Sequence, residues 1–399
     1  MSFTRRSILK TGLTASVFAA TAGAGVLTSR AFAAASSAEP VKLGLLHSLT
    51  GTLAISEVAL MEAEKFAVDE INANGGVLGR QIEAVIEDGA SDFPTHAEKA
   101  RKLLQRDKVA AIVGCYTSAS RRAVLPAVKQ YKGLLYYPTF YEGREQDPRV
   151  FYTSQEASQS VIPSVEFMSK QNGKTFFIIG SDYDYPRTCA QIAKAKIKEL
   201  GGTVVGEDFV PLGHGEFSSI VTKIKEAKPD WIYSIVVGGS NVALCKQLKA
   251  AGLDGTRQNI LSNNISENEI DGIGRENAEG IYSCMGYFQS VKTPENERFV
   301  AAFKAKHGDS RVIGDPMECA YSSVYLWKLA VEKAGSFEVP AVVEASAGLE
   351  FKAPEGLVKI HASNHHMIKK IRVGRSRSDG QFDIILESEP IEPNPFLKS

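Results

Sequence analysis

The sequence has no excess of either charge and few cysteines. It contains 46 lysines and arginines and 46 aspartates and glutamates among 399 residues, so no basic surplus is available for binding nucleic acid. Its five cysteines are odd in number and form no C-x-x-C pair, which argues against a disulfide scaffold and favours buried free thiols. The 44% of hydrophobic residues is ordinary for a globular protein, and the length predicts about two or three domains.

The sequence also lacks the short motifs that mark common catalytic sites. It contains no G-x-S-x-G, H-E-x-x-H or P-loop, and no G-x-G-x-x-G follows a predicted strand. Three histidines, His361, His365 and His366, lie close together, but no cysteine or paired acid accompanies them. They therefore indicate a surface loop rather than a metal site. We expect no enzymatic activity, no metal and no cofactor.

The first 34 residues differ in composition from the rest. They contain the pair Arg5-Arg6, then a segment of Ala, Gly and Thr, and an A-x-A pattern at residues 31–33. This is typical of a twin-arginine signal peptide, so we predict that residues 1–34 are removed on export to the periplasm. No later apolar run approaches the ~20 residues of a membrane span, and membrane contact is expected only through a partner protein.

From residue 41 onward, short apolar segments alternate with amphipathic helical ones, and this order restarts after residue 157. The predicted strands cover 41–48, 82–88, 110–115, 134–139, 175–182, 204–210, 231–237, 259–263 and 281–287, and residues 368–375 with 382–387 are predicted to form a hairpin. The alternation predicts an α/β fold with two doubly wound parallel-sheet lobes. In an exported protein, two such lobes are typical of a hinged molecule that closes over a ligand.

Tyrosines concentrate where predicted strands end. Six of the 13 tyrosines lie there: Tyr116, Tyr136, Tyr137, Tyr141, Tyr183 and Tyr185. The carboxyl ends of parallel strands border the ligand crevice of such folds. Phenol rings there suit a small, neutral, polar ligand, because each combines a flat apolar face with a hydroxyl. Alternatively, each tyrosine could be a core aromatic, and Ser118 could simply be the N-cap of a helix.

Charged groups that would bind a free amino acid are scarce at these strand ends. Asp182 and Asp184 could pair with an ammonium group, but no arginine is evident for a carboxylate. Arg121 and Arg187 lie just inside predicted helices, and we expect both to point to the surface or to cap partners. The strand ends therefore favour a neutral ligand.

Several segments of the chain resemble one family of binding proteins. They read GLLHSLTGTLAISE, DEINANGGVLGR, EDGASD, EKARKLL, GCYTSASRRAVLP, YYPTFYEG, GSDYDYPRT, DPMECAY and APEGLVKI. Through most of residues 41–395 the chain resembles the urea and short-chain-amide binding proteins of the type I periplasmic binding fold. This group includes the binding subunits of urea-type ABC transporters and the amide sensor that controls bacterial aliphatic amidase. The resemblance implies two lobes joined by three crossover strands.

The resemblance also implies a division of the chain and a set of ligand contacts. The crossover strands are expected near 153–158, 282–288 and 350–358. Lobe 1 would comprise residues 40–156 and 285–350, lobe 2 residues 157–284 and 351–390, and a C-terminal tail residues 391–399. Carried over by position, the ligand-binding residues are Tyr116, Ser118, Tyr137, Thr139, Phe140, Tyr183 and Tyr185.

Three departures from the urea-binding pattern bear on the ligand. Urea-type members usually have Trp in place of Tyr116 and Val-Gln in place of Thr139-Phe140, and they tend to have an acid near Gly239. Phe140 would instead supply an apolar wall for an alkyl group. The resemblance therefore implies a short aliphatic amide first and urea second.

These observations predict a periplasmic protein that captures a small amide or urea between its lobes and delivers it to an ABC permease. One alternative is a branched-chain amino-acid binding protein, which would need Asp182 or Asp184 to turn into the cleft. A second is an amide-sensing regulatory binding protein. A third is an exported α/β hydrolase, for which the sequence offers no spacing of nucleophile and base.

Overall fold

The first lobe begins with apolar strands that are buried in a parallel sheet. In β1, every residue except Lys42 is buried, as a continuous apolar segment predicts. The computed structural model describes residues 39–397, so the predicted leader at 1–34 lies outside the described residues. The elements up to the first crossing are β1 (Val41–His47), α1 (Ala54–Ala73), β2 (Ile82–Asp88), α2 (Phe93–Arg101), a π-helical turn (Lys102–Asp107), β3 (Ala111–Gly114), α3 (Ser118–Gln130), β4 (Leu135–Tyr137) and β5 (Val150–Tyr152).

The strands pair in the order β2-β1-β3-β4-β5, and all of these pairings are parallel. Two details differ from the sequence-based expectation. The pattern of residues 95–108 predicts one continuous helix, but the α-helix ends at Arg101 and the chain continues as the π-helical turn. The strand β5 was missed, because three residues are too few to display a periodic pattern.

The second lobe repeats this architecture around a larger sheet. Its strands pair in the order β15-β14-β10-β9-β8-β6-β7, in which only β14 and β15 are antiparallel to their neighbours. The elements are α4 (Ala157–Lys170), β6 (Thr175–Ser181), α5 (Asp184–Glu199), β7 (Thr203–Val210), α6 (Ser218–Ala227), β8 (Trp231–Ile235), α7 (Ser240–Ala250), β9 (Asn259–Ser262), α8 (Glu267–Ile273), α9 (Arg275–Ala278) and β10 (Tyr282–Met285), with β14 (Arg372–Ser376) and β15 (Phe382–Glu387) added later in the chain.

Between β10 and β14 the chain returns to the first lobe. There α11 packs along α1. The elements of this return are α10 (Pro294–His307), α11 (Asp315–Ala334), α12 (Val339–Ser346), β11 (Glu350–Ala353), β12 (Gly356–Ile360) and β13 (Met367–Ile368). The last three form a separate small antiparallel sheet. The α/β fold with two parallel-sheet lobes is thus confirmed.

The small sheet lies elsewhere than the sequence suggested. Residues 351–390 were predicted to belong to lobe 2, but β11 contacts α10 and α11 of the first lobe. The ring of Phe351 stacks on that of Tyr325 in α11, with centroids 5.5 Å apart. The third crossing consequently lies not near 350–358 but between β13 and β14, around Lys369. The predicted tail joins it there, because the Ile391 N–H donates to the Lys369 carbonyl at 2.8 Å.

The start of α11 holds the three crossings together. Asp315 accepts hydrogen bonds from the side chain of Gln155 in the first crossing and from the N–H of Tyr287 in the second, at 3.1 and 2.8 Å. In the third crossing, the Lys369 ammonium lies 2.8 Å from the carboxylate of Glu355. We name Asp315, Glu318, Glu355 and Lys369 the hinge cluster; all four side chains are buried.

Two sequence-based expectations about the whole chain can be compared with this fold. All five cysteines are buried free thiols, as predicted. Within residues 39–397, no helix combines the length and the apolar character needed to cross a membrane.

Candidate functional site

The first-lobe wall of the candidate site is formed where β3 turns into α3. The turn uses a left-handed backbone at Gly114 and Cys115, with φ of 147° and 64°. A Cβ at Gly114 would collide with the Leu46 carbonyl of β1, so only glycine fits there. Thr117 then caps the helix, since its hydroxyl accepts from the Ser120 N–H at 3.0 Å. The predicted alternative, that Ser118 is the cap, is wrong by one residue.

Because Thr117 is the cap, the backbone N–H and the hydroxyl of Ser118 are not used in capping α3. Ser118 is the first residue of α3, and its N–H and that of Ala119 have no carbonyl within the helix to bond. Such N–H groups at a helix start are natural donors to a carbonyl oxygen or an anion. Its hydroxyl donates to the carboxylate of Glu142.

The hydroxyls at the end of β4 also donate to protein acceptors. The Tyr137 hydroxyl donates to the Tyr116 carbonyl at 2.7 Å, and that of Thr139 donates to the Cys115 carbonyl at 3.3 Å. Both side chains are buried. These bonds tie the end of β4 to the turn after β3, so the two predicted strand ends form one wall.

The second lobe contributes the tyrosines at the end of β6. The Tyr185 hydroxyl donates to the Asn264 side-chain oxygen at 2.9 Å. The hydroxyl of the half-buried Tyr183 makes no hydrogen bond among the contacts of the described residues. Burial raises the pKa of Tyr183 and of Tyr185 well above the usual range, so both phenols keep their hydrogens.

Aromatic contacts join the two walls across the cleft. The ring of Phe140 lies 6.1 Å from that of Tyr116 and 5.6 Å from that of Tyr185. Tyr183 lies 6.2 Å from Tyr185. The structure thus brings all seven predicted residues to one region between the lobes, although their role in binding stays a prediction.

Charged groups flank this region and are paired with one another. Asp184 and Arg122 form an ion pair across the lobes, and Asp182 pairs with Arg187 at 2.5 Å. Both aspartates are exposed, so neither turns into the cleft as the amino-acid alternative required. Exposed pairs of this kind contribute little stability, about 0–1 kcal/mol.

The prediction that Arg121 lies at the surface is wrong. Its side chain is fully buried, and the guanidinium carbon lies 4.7 and 4.5 Å from the ring centroids of Tyr137 and Tyr141. Its Nε donates to Glu145 at 2.9 Å. The aromatic rings and carboxylates therefore enclose the charge of Arg121. The position of Arg121 within its helix does not predict this burial.

Two contacts near the site involve residues that the sequence analysis missed. At the start of α1, the Ser56 hydroxyl donates to Glu269 of the second lobe at 2.8 Å. Behind it, His47 at the end of β1 lies 2.7 Å from Glu64 and 3.5 Å from Glu57. His47 lies at the end of the predicted strand 41–48, and this position at the strand end was the available signal.

The histidine cluster is not the surface loop that was predicted. His366 is fully buried, and its ring stacks on that of Tyr152 with centroids 4.2 Å apart. Burial lowers the pKa of His366 to about 3, so the ring is neutral. His361 and His365 are half-buried beside it. Stacking on a tyrosine of β5 explains this burial.

The architecture defines a two-lobed protein with a closed cleft, and the comparisons agree. The chain matches the periplasmic binding protein domain family over residues 41–399 and belongs to that family. The fold is the type I form, and the protein is a solute-binding protein of the periplasm rather than an enzyme.

The individual relatives have sequence identities of 22 to 36% with this chain. The leucine-, isoleucine-, valine-, threonine- and alanine-binding protein of Pseudomonas aeruginosa is 28% identical over 80% of this chain and 85% of its own length. A limonene hydroxylase of Geobacillus stearothermophilus is 36% identical, but over only 31% of this chain and 23% of that protein. An ABC-transporter solute-binding protein from Rhodopseudomonas palustris, solved with 3,4-dihydroxybenzoic acid, superimposes with a TM-score of 0.81 at 22% identity, over 88% of this chain and 98% of that chain.

Proposed function

We propose that this protein captures a small neutral amide, either a short aliphatic amide or urea, in the cleft between its lobes. The supporting observation is the direction of the hydroxyl hydrogens. Ser118, Tyr137, Thr139 and Tyr185 each donate to a protein acceptor. Their remaining lone pairs can therefore only accept, and an NH2 group supplies the hydrogens that they need.

The hydrogen-bond donors at the site suit the carbonyl oxygen of an amide. The N–H groups of Ser118 and Ala119 begin α3, and the Tyr183 hydroxyl has no partner among the described residues. A carbonyl oxygen can accept from them. A primary amide would thus match both sets of groups, whereas a carboxylate would place its second oxygen against lone pairs.

The proposed ligand differs in charge from those of the relatives. The Pseudomonas protein is named for amino acids, and the Rhodopseudomonas structure contains a benzoic acid. Both ligand classes carry a carboxylate. In this chain the buried Arg121 is enclosed by tyrosines and paired with Glu145, so it does not offer a free cation to such a group. The amino-acid alternative remains the second candidate, because it is the ligand class of a relative that aligns with most of the chain.

Among amides, the aromatic wall favours an alkyl substituent. Phe140 lies between Tyr116 and Tyr185 and presents no polar atom. The second NH2 of urea would need another acceptor there, and burying it unpaired costs about 1–3 kcal/mol. We therefore place acetamide and propionamide before urea.

Delivery of the ligand to an ABC permease is the second part of this proposal. The Rhodopseudomonas protein with the same fold is described as part of an ABC transporter. Export by the twin-arginine route rests on Arg5-Arg6. A regulatory partner is the alternative, and the neighbouring genes distinguish the two, since transport requires genes for a permease and an ATPase.

Thermal unfolding tests the ligand class directly. We expect acetamide or propionamide to raise the unfolding midpoint by a few degrees, because a ligand at about 100 times its Kd stabilises by about 2.7 kcal/mol. Urea at millimolar concentration, acetate, leucine and buffer are the comparisons. A midpoint raised by leucine alone would overturn the amide assignment, and incubation with amides should release no ammonia.

Exchange of Tyr183 for phenylalanine is expected to weaken acetamide binding by about tenfold, the value of one lost hydrogen bond of about 1.4 kcal/mol. The unliganded midpoint should stay unchanged, because this hydroxyl has no partner in the described protein. Calorimetric titration measures the first and thermal unfolding the second. The matched control is Tyr131→Phe, whose hydroxyl donates to Gln105 away from the cleft at 3.0 Å. Equal affinities of the two variants for acetamide would show that the Tyr183 hydroxyl does not bind the ligand.

A further inference from the structure

We infer that Glu142 sets the ligand preference of the site by fixing the Ser118 hydroxyl as a hydrogen-bond acceptor. This inference rests on the proposed function and extends it to a residue that does not itself touch the ligand. Glu142 is a positioning residue in the loop after β4, and its side chain is fully buried. It accepts the Ser118 hydrogen through Oε2.

The other oxygen of Glu142 fixes the orientation of the carboxylate. Oε1 accepts from Arg122 Nη2 at 3.0 Å and lies 3.8 Å from Arg121 Nη2. Both neighbours are permanently charged donors. The carboxylate is therefore held with one oxygen towards the two guanidinium groups and the other towards Ser118.

The hydroxyl of Ser118 is constrained from both sides. It donates to Glu142, and Arg121 Nη1 donates to its oxygen at 3.3 Å. One lone pair of Ser118 Oγ then remains for a ligand. That lone pair can bind an N–H of an amide but repels the oxygen of a carboxylate. Glu142 thereby makes Ser118 discriminate between two ligands of nearly equal size.

Replacing Glu142 by glutamine should turn the Ser118 hydroxyl from an acceptor into a donor towards the ligand. In Glu142→Gln, the amide oxygen will face Arg121 and Arg122, because both are donors, and the NH2 group will face Ser118. Ser118 then accepts from Gln at this position, and its own hydrogen turns towards the ligand. Acetate gains a donor in this variant, and acetamide loses an acceptor.

The experiment compares the Kd of acetamide with that of acetate, measured by calorimetry in the wild type and in Glu142→Gln. We expect the preference for acetamide to fall by at least about tenfold, equivalent to about 1.4 kcal/mol. The matched control is Glu145→Gln, which changes the same group beside the same arginine, at 2.9 Å, without touching Ser118. Its preference should equal that of the wild type.

Each outcome decides the inference. A wild-type preference for acetate or leucine over acetamide overturns both the proposed function and this inference. A wild-type preference for acetamide that persists unchanged in Glu142→Gln overturns only the inference. If Glu142→Gln does not fold, Ser118→Ala provides the test, since it should weaken acetamide binding by about tenfold and leave acetate unchanged. Equal losses for both ligands in Ser118→Ala would contradict the role assigned to Glu142.

Discussion

Replacing Lys369 by methionine is expected to lower the free energy of unfolding by about 3–5 kcal/mol, because it leaves buried carboxylates without their cation. The ammonium lies 2.8 Å from Glu355 and 3.5 Å from the Cys319 sulfur. Burial opposes its charge, yet the acidic groups around it, Cys319 and Glu355 first, hold the pKa of Lys369 well above its usual range. Unfolding in guanidinium chloride measures the loss.

The hinge cluster also predicts how this loss depends on pH. Burial raises the pKa of Asp315 and of Glu318, whose charges the cation no longer offsets in the variant. A carboxyl group whose pKa is higher in the folded than in the unfolded state lowers the stability when it is ionised, and protonation at lower pH removes this loss. The loss should therefore shrink as the pH falls from about 7 to about 5.

The neighbouring lysine provides the control for this experiment. Lys370 is half-exposed and pairs with Glu387 at 2.6 Å. Lys370→Met should therefore cost no more than about 1 kcal/mol. Similar losses in the two variants would show that burial of the hinge charge has no special role.

Exchange of His47 for leucine is expected to be similarly costly, about 3–5 kcal/mol, because His47 is the buried partner of two carboxylates. Burial alone would lower the pKa of His47, but Glu64 and Glu57 outweigh it and raise the pKa to about 10. His361→Leu is the control, since this half-buried ring lies 3.7 Å from an exposed carboxylate of Glu392. A loss below about 1 kcal/mol for His47→Leu would mean that the imidazole is not charged in the folded protein.

The raised pKa of His47 determines the direction in which the stability of the protein changes with pH. Its contribution to stability is fully present below pH 6.5, the ordinary pKa, and is lost as the pH rises through about 10. Wild-type stability should therefore decline over this interval by an amount that His47→Leu lacks. Parallel curves for the two proteins would contradict the assignment.

Much of the architecture follows from patterns that are local in sequence. Continuous apolar runs such as β3 and β6 indicate buried parallel strands, and their order along the chain fixes a doubly wound topology. The strand-end tyrosines could be located for the same reason, because all parallel strands of one sheet end at the same edge. The seven predicted site residues come from three segments, of which two follow β3 and β4 of the first sheet and the third follows β6 of the second.

The errors concern features that depend on partners distant in sequence. Arg121 is buried because rings from β4, the following loop and β5 surround it, and no property of its own helix predicts that. The resemblance implied a third crossing near 350–358, whereas this segment is attached to α11, in part by the stacking of Phe351 on Tyr325, which pairs residues distant in sequence. Hydroxyl direction, on which the ligand argument depends, likewise requires knowledge of the acceptors behind each hydroxyl.

The anchoring of all three crossings to the start of α11 has a consequence for how the lobes move. Asp315 bonds to two crossings, and in the third the Lys369 ammonium contacts the Cys319 sulfur near the start of the same helix. Segments tied at a common pivot cannot bend independently, so we expect the lobes to open as rigid bodies about that point. A distance across the cleft, for example between labels on α3 and α5, should then report the opening, and intermediate ligand occupancies should give mixtures of an open and a closed distance.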